Sequence, residues 1–126
     1  MSEQPKKILI VEDEEMIRKP YADELRDKGF SVATATNGQE GLETALREKP
    51  DLILLDIVMP VMNGMDMMKK LRADDWGRKV PIILLTNLSA NENIIKGVIT
   101  DEPLYFLVKS DWSIKDVLEQ IKKILI

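Results

Sequence analysis

The chain has 126 residues, a net charge of −4, 44% hydrophobic and 32% charged residues, which fits one domain with its own core. A mildly acidic surface argues against broad binding to nucleic acid or to an anionic membrane. With no cysteine and no histidine, disulfides, thiolate and imidazole metal sites and the commonest general base are excluded.

Residues 1–6 are expected to be flexible, as chain ends often are. Ile8-Leu9-Ile10-Val11 is an apolar, β-branched run that ends on Glu12-Asp13-Glu14-Glu15. It is too short for a signal peptide, and no run reaches the roughly 18 residues of a membrane span. A cytoplasmic protein is expected. The run reads as a strand, followed by an acidic turn and a helix that Asp13 can cap. That helix runs to about Lys28, with Gly29 as its stop. Ile17, Tyr21 and Leu25 share one face, and Pro20 inside it predicts a kink or loosened first turns. Phe30 to Thr36 is strand-like, and Asn37-Gly38 makes a turn in which Asn37 can cap the next helix. That helix covers about Gln39 to Lys49 and is expected to bury Leu42, Ala45 and Leu46.

Leu52-Ile53-Leu54-Leu55 is apolar at every position and ends on Asp56. Such a run fits a strand covered on both faces, as in a parallel sheet. Pro60 and Gly64 punctuate the turn after it. Met65 to Ala73 reads as a short helix with Met65, Met68 and Leu71 inward, followed by the polar loop Asp74 to Lys79. Pro81 to Leu85 is a further buried strand ending on Thr86. Asn91 to Ile99 is a weaker helix, in which Gly97 costs about 1 kcal/mol relative to Ala. After the break Thr100-Asp101-Glu102-Pro103, Leu104 to Val108 forms the fifth strand and ends on Lys109. Ser113 and Asp116 make a capping box for a last helix with a clean stripe of Ile114, Val117, Leu118, Ile121, Ile124 and Leu125.

Strand and helix thus alternate five times. The economical solution is an α/β fold: a five-stranded parallel sheet of order 2-1-3-4-5 with helices on both faces, flavodoxin-like and doubly wound. In such a sheet, ligands bind outside the carboxyl ends of the strands. Glu12-Asp13, Asp56, Thr86 and Lys109 all stand at those ends. Alone, each is ordinary: Glu12 to Glu15 suits any solvated helix start, and Asp56 could be a turn residue. Together they put three carboxylates, a hydroxyl and an ammonium in one cleft. Crowded carboxylates call for a hard divalent cation, for which magnesium with its oxygen ligands is suited. A carboxylate can also accept a phosphoryl group, and the magnesium charge, Lys109 and Thr86 would stabilise its transition state.

From Lys7 to the last helix the chain resembles the receiver domain of bacterial two-component response regulators. The matching stretches are Ile8-Leu9-Ile10-Val11-Glu12-Asp13-Glu14, Asp56-Ile57-Val58-Met59-Pro60 with Gly64, Leu84-Leu85-Thr86, and Phe106-Leu107-Val108-Lys109. The resemblance implies one receiver domain over residues 1–126, which signals and is not an enzyme beyond self-catalysed phosphotransfer. Asp56 would be the phosphoacceptor, charged by a sensor histidine kinase or a phosphotransfer protein. Asp13, Asp56 and the backbone carbonyl of Val58 would ligate Mg2+, with Glu12 acting through water. Thr86 and Lys109 would contact the phosphoryl group, and Thr86 with Phe106 would form the switch. The activated face, built from the fourth helix, fifth strand and fifth helix, would meet a downstream protein or output domain. No direct nucleic-acid or membrane contact is expected, and the resemblance leaves room for a homodimer formed on activation. No output domain follows Ile126, so a stand-alone regulator or a receiver from a longer protein is expected; Met1 favours an N-terminal position.

Four features depart from the family. Asn87 replaces a small residue and could narrow access to Asp56 or bond to the phosphoryl group. Ser110 replaces a proline, so the Lys109–Ser110 bond is expected to be trans. Thr100 to Pro103 replaces a Gly-Ala turn, and Phe106 lacks the hydroxyl of the tyrosine often found there. Asn87 and Ser110 leave open a pseudo-receiver that works without phosphate. An enzyme on a similar sheet fits less well. A flavin site needs a Ser/Thr/Gly-rich loop where this chain has an acidic turn, and a haloacid-dehalogenase-like phosphatase carries a second Asp where this chain has Val58. The methionines from Met59 to Met68 read as core filling, and Trp76 and Trp112 as partly buried loop residues.

Overall fold

Side chains alternate between the two faces of a strand, so a strand apolar at every position needs cover on both sides. The computed structural model describes residues 5–56, 61–86, 105–108 and 113–125, the backbone alone being described for residues 86 and 105–108. Its strands are β1 (Lys7–Val11), β2 (Ser31–Ala35), β3 (Leu52–Asp56), β4 (Ile82–Thr86) and β5 (Tyr105–Val108). All pair in parallel in the order β2-β1-β3-β4-β5, as the alternation of strand and helix predicts.

The odd and even positions sort the core into two layers. Leu9, Val11, Ile53, Leu55, Ile82 and Leu84 face one side. There they pack on helices α2 (Gly38–Glu48) and α3 (Gly64–Arg72), which supply Ala45, Met67, Met68 and Leu71. Ile8, Ile10, Leu52, Leu54, Ile83 and Leu85 face the other side. They meet Tyr21, Ala22 and Leu25 of α1 (Glu15–Asp27), and Val117, Leu118 and Ile121 of the C-terminal helix (Ile114–Leu125). Each fully buried Leu or Ile contributes roughly 1.5–3 kcal/mol, and this double cover lets β3 carry Asp56 at its end.

Local chemistry sets the helix ends. Asn37 caps α2 by accepting the Glu40 N–H at 2.8 Å, and Ser113 and Asp116 form the expected capping box at 3.1 and 3.2 Å. At α1 the capping position falls on Glu14, with no side-chain cap bond; Asp13, expected to cap it, stands one residue too early. Helix α1 continues through Pro20, which lies on its exposed side and leaves the Met16 carbonyl without its usual helical donor. Gly29, at φ +94°, stops α1 as expected, and its N–H bonds the Arg26 carbonyl. Gly38 has a different duty. A Cβ there would sit 2.2 Å from the Met62 carbonyl oxygen, which instead accepts the Gly38 N–H at 2.8 Å.

The inward faces of two helices differ from the simple stripe. In α2, Gly38, Gly41, Thr44 and Ala45 are buried, while Leu42 is half-buried and Leu46 is 38% exposed. Small residues let α2 lie close to the sheet, which turns the larger Leu46 outward. In α3, Met67 joins Met68 and Leu71 in the core and Met65 is half-buried, so these methionines fill the core. Trp76 is half-buried in a loop where Asp74 Oδ2 accepts the Trp76 and Gly77 N–H groups at 3.0 Å. The expected helix over Asn91–Ile99, the break at 100–103 and Trp112 lie outside the described residues.

Leu54→Ala removes a side chain from the doubly covered strand and is expected to cost roughly 2–5 kcal/mol. Leu46→Ala on the outward side of α2 is expected to cost below about 1 kcal/mol. Urea unfolding of the two variants checks this contrast.

Candidate functional site

The parallel register decides which side chains meet. Val11 pairs with Leu55, so the residues that follow, Glu12 and Asp56, come level on neighbouring strands. Both are buried, at 3% and 9% exposure, while Asp13 is exposed. One carboxylate oxygen from each of Glu12, Asp13 and Asp56 lies within 4.8 Å of the others. The sequence places these three at strand ends, and the fold brings them together.

Thr86 ends β4 at the same edge, its backbone in register with Val108 of β5. Phe106 is in register with Leu84. The side chains of Thr86 and Phe106, and the whole of Val58, Asn87 and Lys109, lie outside what is described.

Two side chains of α1 flank the acidic turn. Arg18 of α1 reaches back, and its Nη1 donates to the Glu12 carbonyl at 2.9 Å and to the Asp13 carbonyl at 3.4 Å. Arg18 and Tyr21 line a small cavity with Glu12 and Asp56. Burial, and secondarily the Glu12 carboxylate, push the Tyr21 hydroxyl above its ordinary value. Periodicity marks Tyr21 as a core residue, but nothing in the linear sequence links Arg18 to the carbonyls behind it.

The residues that lead into α3 are tied to α2 and to their own helix. Val61 is 82% exposed and holds φ +67°, a left-handed conformation that costs a β-branched residue on the order of 1–3 kcal/mol. Met62 is tied to Gly38, and Asn63 caps α3 by accepting the Asp66 N–H at 2.9 Å.

The three acids offer a hard, all-oxygen donor set, which fits magnesium or a similar cation. Oxygen donors that already converge need little reorganisation to share one ion.

Residues 8–122 match the family model described as the response regulator receiver domain. The chain belongs to this family. It is therefore a receiver domain of two-component signalling. It is 33% identical over 122 residues to the probable transcriptional regulatory protein TcrX of Mycobacterium tuberculosis, covering 97% of this chain and 50% of TcrX. It is 39% identical over 82 residues to the polar-differentiation response regulator DivK of Brucella anthropi, covering 65% of this chain and 67% of DivK. Among solved structures, the chemotaxis response regulator CheY4 of Vibrio cholerae superposes with a TM-score of 0.86 at 29% identity, over 95% of this receiver and 98% of CheY4. The BeF3-activated N-terminal receiver domain of Klebsiella pneumoniae RstA gives 0.84 at 30% identity, over 95% and 98% of the two chains. The receiver spans about half the length of TcrX. No helix among its described residues is long and apolar enough to cross a membrane.

The raised Tyr21 value sets a pH dependence. The unfolded chain loses the tyrosine proton first, near the ordinary value of 10.0, so this contribution is complete below that pH and declines as pH rises through the folded value. Stability is expected to fall less steeply above that point in Tyr21→Phe than in the parent. Glu12→Gln is expected to lower the Tyr21 value only partway, since burial is the larger cause. Ring NMR titration and chemical denaturation at stepped pH check both.

Proposed function

We propose that Asp56 is the phosphoacceptor of this receiver, and that the convergence of Glu12, Asp13 and Asp56 within 4.8 Å carries that reading. A carboxylate oxygen of Asp56 attacks the phosphorus of a phosphohistidine on a sensor kinase or phosphotransfer protein. The new O–P bond forms as the N–P bond breaks, and the electron pair leaves with the imidazole nitrogen. The product is an aspartyl phosphate, a mixed anhydride that water can later cleave.

Glu12, Asp13 and Asp56 would hold Mg2+, with the Val58 carbonyl as a further ligand by family resemblance. The cation supplies positive charge beside the transferring oxygens. Thr86 and Lys109, placed after β4 and β5 by the sequence, contact the phosphoryl group, and Asn87 is a further contact. Movement of Thr86 and repacking of Phe106 then alter the face presented to a downstream protein or output domain, with homodimerisation as one route. The chain acts as one receiver domain over residues 1–126 in the cytoplasm and binds no nucleic acid itself. Beyond accepting and slowly losing its phosphoryl group, it turns over no substrate.

Incubation with acetyl phosphate and magnesium is expected to add one phosphate to the intact mass, with no adduct in Asp56→Asn or when magnesium is withheld. A folded parent without an adduct would overturn the phosphoacceptor reading in favour of a pseudo-receiver. By the family resemblance, the side chains at positions 58 and 88 tune how water reaches the phosphoryl group; here they are Val58 and Leu88, both apolar and unable to orient an attacking water. The adduct is therefore expected to persist well beyond seconds once the donor is removed, which a timed mass series reads directly.

A further inference from the structure

Strand pairing of β1 with β2 and β3 runs as far as Val11. The Glu12 N–H still reaches the Ala35 carbonyl at 3.0 Å, but the carbonyls of Glu12 and Asp13 lie past the paired stretch. One guanidinium nitrogen of the half-buried Arg18 bonds both, closely at 2.9 Å and more weakly at 3.4 Å. Two consecutive carbonyls held from one point fix the peptide plane between them. That plane sets the directions in which the buried Glu12 and the exposed Asp13 side chains leave the chain.

We propose that Arg18 is a positioning residue of the acidic site: its guanidinium, anchored on the Glu12 and Asp13 carbonyls, holds the two carboxylates in the arrangement that grips a divalent cation with Asp56. This rests on the magnesium reading above. Arginine suits the task because its planar group keeps its donors in a fixed geometry, whereas a lysine ammonium is a point charge on a flexible four-carbon stem.

Arg18 also carries a positive charge, and a charge alone would act in the opposite direction. Removing a cation beside a metal site should tighten metal binding, while removing a brace should weaken it. The sign of the effect therefore separates the two roles.

The test titrates magnesium into metal-free protein by calorimetry, for the parent, Arg18→Met and Arg18→Lys. Methionine keeps the apolar stem and loses the donors. Magnesium is expected to bind about tenfold more weakly to Arg18→Met, a loss typical of groups that orient metal ligands. Arg18→Lys is expected to fall between that variant and the parent. In parallel, backbone amide exchange at Asp13 and Glu14 without metal is expected to quicken in Arg18→Met. Val80→Ala, a core truncation away from the site, controls for general loss of stability and is expected to keep the parent affinity.

Unchanged or tighter magnesium binding in Arg18→Met overturns the proposal, as does an equal loss in Val80→Ala. If the parent itself takes up no magnesium, the cation reading fails. Amide exchange then decides the remaining part: quickened exchange supports Arg18 as the brace of the acidic turn, and unchanged exchange overturns it.

Discussion

Acidic side chains held close together are the constraint on which this receiver depends. Glu12 and Asp56 are buried side by side, with Asp13 completing a cluster no wider than 4.8 Å. At an effective dielectric constant near 20, two ionised carboxylates at that separation, with no cation near them, would repel by roughly 3–4 kcal/mol. One or two buried aliphatic side chains contribute as much. The residues beneath the cluster supply many more, since β1, β3 and β4 are lined on both faces by Ile, Leu and Val. A sheet with only one apolar face would have less reserve with which to hold the acids in place.

The parallel topology turns that reserve into geometry. All strands run the same way, so each delivers its last residue to one edge. Because β1 lies directly beside β3, Glu12 and Asp56 become neighbours although much of the chain separates them in sequence. Helix α1 then contributes in two ways. Its apolar face seals the sheet through Tyr21, Ala22 and Leu25, and its Arg18 reaches back to the carbonyls of the acidic turn.

What could be read from the sequence follows from how far each signal travels. Strands and their order were legible because doubly covered strands write unbroken apolar runs, as at Leu52 to Leu55. The acids were legible because a carboxylate at the end of such a run stands out. Asn37, Ser113 and Asp116 were legible as caps, since a cap and its target lie within one helical turn. Leu46 was misjudged because its position depends on how closely α2 approaches the sheet, which Gly41 and Thr44 decide. Asp13 was misjudged as a cap because the helix begins one residue later than the acidic run suggests. Arg18 gave no signal, and Gly38 read only as a turn residue. Their partners are backbone carbonyls, and any residue carries one.

The contact between Gly38 and Met62 also limits how this receiver can vary in length. Asp56 is fixed by the sheet, and Met62 is fixed by a hydrogen bond to the first residue of α2. Asp56 and Met62 are thus two anchors, one on the sheet and one on α2. An inserted or deleted residue between them acts on a connection anchored at both ends, one of them the acidic cluster. The connection after α3, which ends at the opposite edge of the sheet, is under no such limit from the acidic cluster. Tolerance of insertions should thus differ between these two connections.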